Sequence, residues 1–270
     1  MSIPLEDTAA DVLSKAARGR KISTAQLASE TGLEESLIQE TLEKASHVEA
    51  ARKLATALAL GPDQIAALIE GRYQAAPVPS IDGLLSYNTP FDDMTVNSYL
   101  VWDPETGDAA AFDTGADCTD LLNDLRERNL HLRGIFLTHS HGDHIVELDR
   151  LQEKTKAPAW IGNREPVEGA TSFEAGRSFQ IGNLLVQTRL TWGHSPGGIT
   201  YVVRGLARPL AIVGDALFAG SMGGGNISYQ DGLSTTGSQI LSLPEETIVC
   251  PGHGPLTTVG EQRQANPFFP

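Results

Sequence analysis

Four side chains that can bind a metal ion lie within six residues of the chain: His139, His141, Asp143 and His144. Imidazole nitrogens and carboxylate oxygens suit zinc, iron and manganese, and no thiolate is required. Residues 132–138, which precede the motif, are typical of a short buried strand, and a helix pattern follows it. The motif is therefore expected on a turn at the end of a strand, where Gly142 lets the chain bend and the side chains converge.

Three further candidate ligands also follow apolar runs or lie in glycine-rich turns: His194, Asp215 and His253. A polar loop with Asp143 as a helix cap would explain the first motif by itself. It would not explain why five of the seven histidines fall in such turns. We therefore interpret these residues as parts of one metal site.

At these positions the sequence resembles the metallo-β-lactamase-fold superfamily, and within it the glyoxalase II and persulfide dioxygenase branch. The resemblance covers about residues 80–270 and rests on the H-x-H-x-D-H motif followed by His194, Asp215 and His253 in the expected order. It implies an αββα sandwich, whereas the periodicity of the sequence alone predicts only a mixed α/β class.

The resemblance also implies a role for each ligand. One cation is held by His139, His141 and His194, the second by Asp143, His144 and His253, and Asp215 bridges the two. The expected cofactors are two divalent metal ions, with zinc as the first choice and iron or manganese as alternatives. A water shared by two cations loses its proton near neutral pH, so a bridging hydroxide would attack the substrate. Asp143 and Asp215 are therefore the expected catalytic carboxylates.

Several other residues are assigned by position. Asp113 ends another apolar strand, and we expect it either to accept the second N–H of a ligand histidine or to cap the helix predicted at 119–128. Four residues are expected to line the substrate cleft, with simple packing as the alternative for each: Trp192, Met222, Asn226 and Tyr229.

The expected activity is hydrolysis of a thioester, as in hydroxyacylglutathione hydrolases. A persulfide dioxygenase with a single iron held by His139, His194 and Asp215 is the main alternative, and a lactonase is another. Relatives commonly carry an arginine where this chain has Gly224, and that arginine can supply charge for the carboxylate of a thiol carrier. This departure counts against glutathione as the carrier.

Residues 1–74 are predicted to form a small all-α domain, residues 75–80 a linker, and residues 81–270 the sandwich. The first part resembles the helix-turn-helix domains of phage-repressor-like regulators and of cyanase amino-terminal regions. A regulator that binds DNA is the weakest interpretation, because the would-be recognition helix carries four acidic residues, Glu34, Glu35, Glu40 and Glu43. Packing, or pairing of two copies as a homodimer, is the expected role.

The chain has 270 residues, with 20 Lys and Arg against 34 Asp and Glu, and a net charge of −14. This balance disfavours binding to nucleic acid or to an anionic membrane and leaves a small molecule as the expected partner. The sequence has no signal-peptide pattern and no run of transmembrane length. Two cysteines, Cys118 and Cys250, do not form a disulfide framework, so a cytoplasmic location is expected.

Overall fold

The computed structural model describes residues 3–270, and five helices precede its first strand. They are α1 (Ala9–Arg20), α2 (Thr24–Thr31), α3 (Glu35–Lys44), α4 (Val48–Ala57) and α5 (Pro62–Ile69). Thr8 and Ser23 begin the first two helices, since each side chain accepts a hydrogen bond from the backbone N–H three residues later. Gly32 ends α2 in the left-handed conformation.

Twelve strands form two six-stranded sheets. The first sheet contains β1 (Leu84–Phe91), β2 (Met94–Trp102), β3 (Asp108–Phe112), β4 (His131–Phe136), β5 (Ala159–Gly162) and β6 (Ala170–Phe173), in that order. The second runs β12-β11-β10-β9-β8-β7, with β7 (Ser178–Ile181), β8 (Leu184–Leu190), β9 (Ile199–Arg204), β10 (Leu210–Gly214), β11 (Ile248–Pro251) and β12 (Thr257–Thr258). Strands β3 to β6 are parallel, as are β10 and β11.

The remaining helices are α6 (Thr119–Glu127), α7 (Gly142–Ile145), α8 (Leu148–Thr155), α9 (Tyr229–Thr235) and α10 (Val259–Ala265), with a π-helix at Thr236–Ile240. The two sheets pack face to face through buried aromatic side chains, among them Phe112, Phe136 and Tyr201. Helices cover the outer face of each sheet. The layers therefore run α, β, β, α, and the predicted αββα architecture preceded by helices is confirmed.

The helices α1 to α5 share their core with the sandwich. Met222, Tyr229 and Phe268 pack into the same buried cluster as Leu13 and Leu54. The helical region and the sandwich are thus joined by an apolar interface. Within residues 3–270, no helix is both long and apolar enough to cross a bilayer.

The helix pattern that follows the H-x-H-x-D-H motif predicts one helix at 143–155, whereas the structure divides this segment into α7 and α8. The backbone N–H of Glu147 donates to Thr114 Oγ1 instead of continuing the helical ladder. The sequence pattern also predicts a helix at 234–243, and this helix is misplaced. It begins earlier, at Tyr229, because Ser228 caps it, and it continues as the π-helix. The short strands β6, β7 and β12 and the helix α10 were not predicted.

Candidate metal centre

The seven candidate ligands lie at one edge of the sandwich, in the segments that follow four strands, with Asp143 and His144 in the short helix α7. His139, His141, Asp143 and His144 follow β4, and single ligands follow β8, β10 and β11. Parallel neighbouring strands bring their carboxyl ends to the same edge, which is why Asp215 after β10 lies beside His253 after β11.

The first group of potential ligands contains His139, His141, His194 and Asp215. Their donor atoms all lie within 4.8 Å of one another. Nδ1 of His141 is 3.0 Å from Nε2 of both His139 and His194. Oδ2 of Asp215 lies 3.3 Å from His194 Nε2. Three imidazoles and one carboxylate oxygen therefore face one point.

The second group contains Asp143, His144 and His253, again with donor atoms within 4.8 Å of one another. Oδ2 of Asp143 is 3.3 Å from Nε2 of both histidines. Asp215 also reaches this group, because its Oδ1 is 3.4 Å from His144 Nε2 and its Oδ2 is 3.4 Å from His253 Nε2. The carboxylate of Asp215 thus lies between the two groups.

Two buried atoms at the centre have no hydrogen-bond partner in the described part of the chain: His144 Nε2 and Asp215 Oδ1. A buried polar atom without a partner costs free energy unless something else binds it. Both atoms are good ligands for borderline divalent cations, and they face each other across the site. The residues present therefore fit two divalent cations.

The ring nitrogens that face away from the centre are held by the protein. His144 Nδ1 lies 2.8 Å from Asp113 Oδ2, and His253 Nδ1 lies 2.7 Å from the carbonyl oxygen of Thr95. His194 Nδ1 is 3.1 Å from the carbonyl oxygen of Gly224. These contacts make Nδ1 the donor and leave Nε2 of each ring free to face the centre.

Of the two roles expected for Asp113, the structure favours the first, in which its carboxylate accepts the second N–H of a candidate ligand histidine. Besides meeting His144, its carboxylate accepts hydrogen bonds from Thr138 N at 2.7 Å and Thr138 Oγ1 at 2.8 Å. Its backbone has a φ of 54°, a left-handed conformation that is unusual for residues other than glycine. Such strain persists only where surrounding contacts enforce it, and these three contacts fix the carboxylate beside the ligand loop.

Glu165, which the sequence analysis did not single out, ties two ligand loops together. Its Oε2 accepts from Ser140 N at 3.0 Å and from Ser140 Oγ at 2.8 Å. Its Oε1 accepts from Ser195 Oγ at 2.5 Å and from Gly197 N at 2.6 Å. Ser140 lies between His139 and His141, and Ser195 follows His194, so one buried carboxylate restrains both loops of the first group.

Electrostatic forces favour positive charge between the carboxylates. Burial raises the pKa of Asp215, but hydrogen bonds and attraction from His144 and His253 outweigh it and hold that pKa well below its ordinary value. Burial likewise opposes the charged form of both histidines. The neighbouring Asp113 and Asp215 nevertheless raise the pKa of His144 to about 10, and Asp143 and Asp215 raise that of His253 to about 11.

Burial dominates at two histidines of the first group. It lowers the pKa of His139 well below its ordinary value, and it lowers that of His194 in the same direction. Neutral imidazole is the form that binds metal, so these two rings have the protonation state that a ligand needs.

The residues expected to line the cleft fall into two pairs. Met222 and Tyr229 are buried in the apolar core shared with the helices, so the structure favours packing for them. Asn226 is exposed, and Trp192 is partly exposed with the Arg164 guanidinium 5.6 Å from its ring centre. This second pair remains available to a ligand.

A comparison with known protein families matches residues 91–253 to the metallo-β-lactamase superfamily. This match covers more than half of the chain. The chain belongs to the metallo-β-lactamase superfamily. The matched region begins in β1, so the helices α1 to α5 lie outside it.

Individual relatives agree with this assignment. The chain is 32% identical over 184 residues to "Probable metallo-hydrolase YqgX" of Bacillus subtilis, covering 58% of this chain and 85% of that protein. It is 27% identical over 198 residues to "Hydroxyacylglutathione hydrolase GloC" of Haemophilus influenzae, covering 64% and 92%. A crystal structure of TTHA1623 in a di-iron-bound form matches with a TM-score of 0.56 and 27% identity, covering 67% of this chain and 99% of that one. The chain is therefore a metallo-hydrolase of this superfamily.

Proposed function

We propose that this metallo-hydrolase uses two divalent cations to hydrolyse thioesters, in the manner of a hydroxyacylglutathione hydrolase. The observation that carries the proposal is the position of Asp215, whose carboxylate reaches both groups of ligands. A relative named as a hydroxyacylglutathione hydrolase supports the reaction class, and a similar structure with two bound irons supports the number of cations. We propose zinc as the metal, with iron or manganese as alternatives.

The roles of the residues follow from their positions. His139, His141 and His194 would hold one cation, Asp143, His144 and His253 the other, and Asp215 both. When bound, such a pair of cations supplies acidity to water and polarises a carbonyl oxygen.

The Asp143 carboxylate is positioned to orient a water molecule at the centre. Its Oδ2 lies 3.3 Å from both His144 Nε2 and His253 Nε2, which places it on the inner surface of the site. Hydrogen bonding to His253 keeps its pKa below the ordinary value even though burial raises it, so this carboxylate accepts rather than donates a hydrogen bond near neutral pH. A fixed acceptor of this kind directs a lone pair of water toward the substrate carbonyl.

We propose a small molecule as the partner and packing as the role of the helices, since Met222, Tyr229 and Phe268 enter the helical core. Nucleic acid is disfavoured by the net charge of −14. A gel-shift assay that finds tight binding to duplex DNA would reverse this part of the proposal.

The function is tested by elemental analysis of freshly purified protein together with three assays. These measure hydrolysis of S-lactoyl thioesters of glutathione and N-acetylcysteamine, hydrolysis of a lactone, and persulfide-dependent uptake of oxygen. We expect two cations per chain and hydrolysis of the thioesters. The Asp215→Ala variant should lose this hydrolysis. One iron with oxygen uptake would identify the dioxygenase alternative, and hydrolysis of the lactone alone would identify a lactonase.

A further inference from the structure

The segment before α1 crosses the loop that carries His253. Gly254 follows that ligand, and a methyl group on its Cα would lie 3.2 Å from Glu6 N and 3.5 Å from Glu6 Cβ. Gly254 has a φ of 74°, so the absence of a side chain serves both the turn and this close approach. Glu6 therefore lies beside the loop that carries His253, although it belongs to the amino-terminal part of the chain.

Two charged residues fix this segment to the glycine-rich loop at 220–225. Lys15 Nζ is 2.5 Å from Asp7 Oδ2 and donates to the carbonyl oxygen of Met222 at 3.0 Å. The Ser221 hydroxyl donates to the same Asp7 carboxylate. The side chains of Lys15 and Asp7 are mostly buried, so their ion pair is shielded from solvent. Glu6 is thus held in place by its neighbour.

The glycine-rich loop is itself part of the centre. Gly223 N donates to the carbonyl oxygen of Asp215 at 3.0 Å, and a Cβ at Gly223 would overlap that oxygen. The carbonyl oxygen of Gly224 meets His194 Nδ1. A segment fixed to this loop therefore keeps a constant position relative to the candidate ligands.

The Glu6 carboxylate is free to act on a ligand. It is half-buried, and within residues 3–270 it has no hydrogen-bond donor. Burial raises its pKa, the charge of His253 opposes that rise, and the charges of Asp7 and Asp215 add to it. The ammonium group of Lys15, whose charge acts on Glu6, is already bonded to Asp7 and Met222. When ionised, Glu6 thus places a negative charge without a partner of its own next to the loop that carries His253.

We propose that Glu6 determines specificity by favouring thioesters whose thiol carrier is neutral or cationic and by disfavouring anionic carriers. The inference rests on the proposed thioester hydrolysis and names its substrate class. At an effective dielectric constant of about 20, a unit charge several ångströms from a carboxylate changes affinity on the order of tenfold once exposure to solvent is allowed for.

The test uses one acyl group on three thiols of different charge. Lactoyl thioesters of thiocholine, N-acetylcysteamine and 3-mercaptopropionate carry charges of +1, 0 and −1 on the thiol side. For zinc-loaded full-length protein, kcat/KM is measured for each thioester, and the dissociation constant of each free thiol is measured by calorimetry. Glu6→Gln is compared with Glu34→Gln, which removes the same charge from an exposed position on the helical region.

We expect Glu34→Gln to keep the wild-type ratio of cationic to anionic thiol, in both binding and turnover. In Glu6→Gln that ratio falls about tenfold or more, because the cationic thiol loses an attraction and the anionic thiol loses a repulsion. An unchanged ratio in Glu6→Gln would overturn the inference, and so would a loss of bound zinc, which would make Glu6 a metal ligand. If no thioester is hydrolysed, the proposed function fails, while the thiol dissociation constants still decide the role of Glu6.

Discussion

Replacing Glu165 with glutamine tests whether its carboxylate positions the ligand loops. The amide oxygen can keep only one of the two pairs of contacts, with Ser140 or with Ser195 and Gly197. A hydroxyl can rotate and accept from the new NH₂ group, but a backbone N–H cannot. One buried N–H therefore loses its acceptor, and the remaining bonds lose their charged partner. We expect a loss of about 2–4 kcal/mol in the free energy of unfolding.

Glu165→Gln should also weaken metal binding, because the loops that Glu165 restrains carry His139, His141 and His194. Contacts that orient metal ligands typically change metal affinity by about 10- to 100-fold. We expect the zinc dissociation constant of Glu165→Gln, measured by competition with a chelator, to rise by that factor. Glu165→Asp keeps the charge but shortens the side chain, so it should recover part of the affinity.

Asp103 provides a matched control for Glu165→Gln. It is equally buried, and it accepts hydrogen bonds from two backbone N–H groups, of Glu105 and Asn183, and from the Thr106 hydroxyl. It follows the end of β2 that is remote from Thr95 and hence from the metal centre. Asp103→Asn should lower stability comparably without changing zinc affinity. If Glu165→Gln behaves in the same way, the reasoning about the ligand loops is refuted.

Three further substitutions test other contacts. His253→Ala should reduce the bound cations from two to one per chain by elemental analysis, and an unchanged content would remove this residue from the ligand set. Asp113→Asn should weaken zinc binding by about 10- to 100-fold in the chelator assay, because asparagine tolerates the left-handed backbone but no longer offers His144 a charged acceptor. Lys15→Met should cost about 3 kcal/mol in urea unfolding by leaving Asp7 buried without its cation, and the double variant with Asp7→Asn should recover part of that loss.

The sequence alone was sufficient to predict that the seven candidate ligands lie close together. Each lies in a local pattern, an apolar strand followed by a polar turn, and parallel strands end at a common edge. Such patterns involve few residues, so a single sequence reveals them. Their assignment as ligands remains a prediction that metal analysis must test.

The same local patterns do not predict contacts between residues that are far apart in the sequence. Glu165 follows a strand at the edge where the ligands lie, and that position was an available signal, but its partners are set by how two loops fold. Lys15 and Met222 are separated by 207 residues, and no local pattern relates them. Met222 and Tyr229 follow Asp215 in the segment from which the sequence predicts a cleft, whereas the helical region covers their side chains. Burial by a separate part of the chain cannot be inferred from the composition of the loop.

His194 shows why the helical region matters to the centre. On one side, Glu165 restrains the next residues, Ser195 and Gly197. On the other side, the Gly224 carbonyl holds Nδ1 of its ring, and the loop of Gly224 is tied to the segment before α1. The imidazole is therefore oriented jointly by the sandwich and by the helices. Since the family match begins only at residue 91, part of the support for this candidate ligand comes from residues outside the matched region.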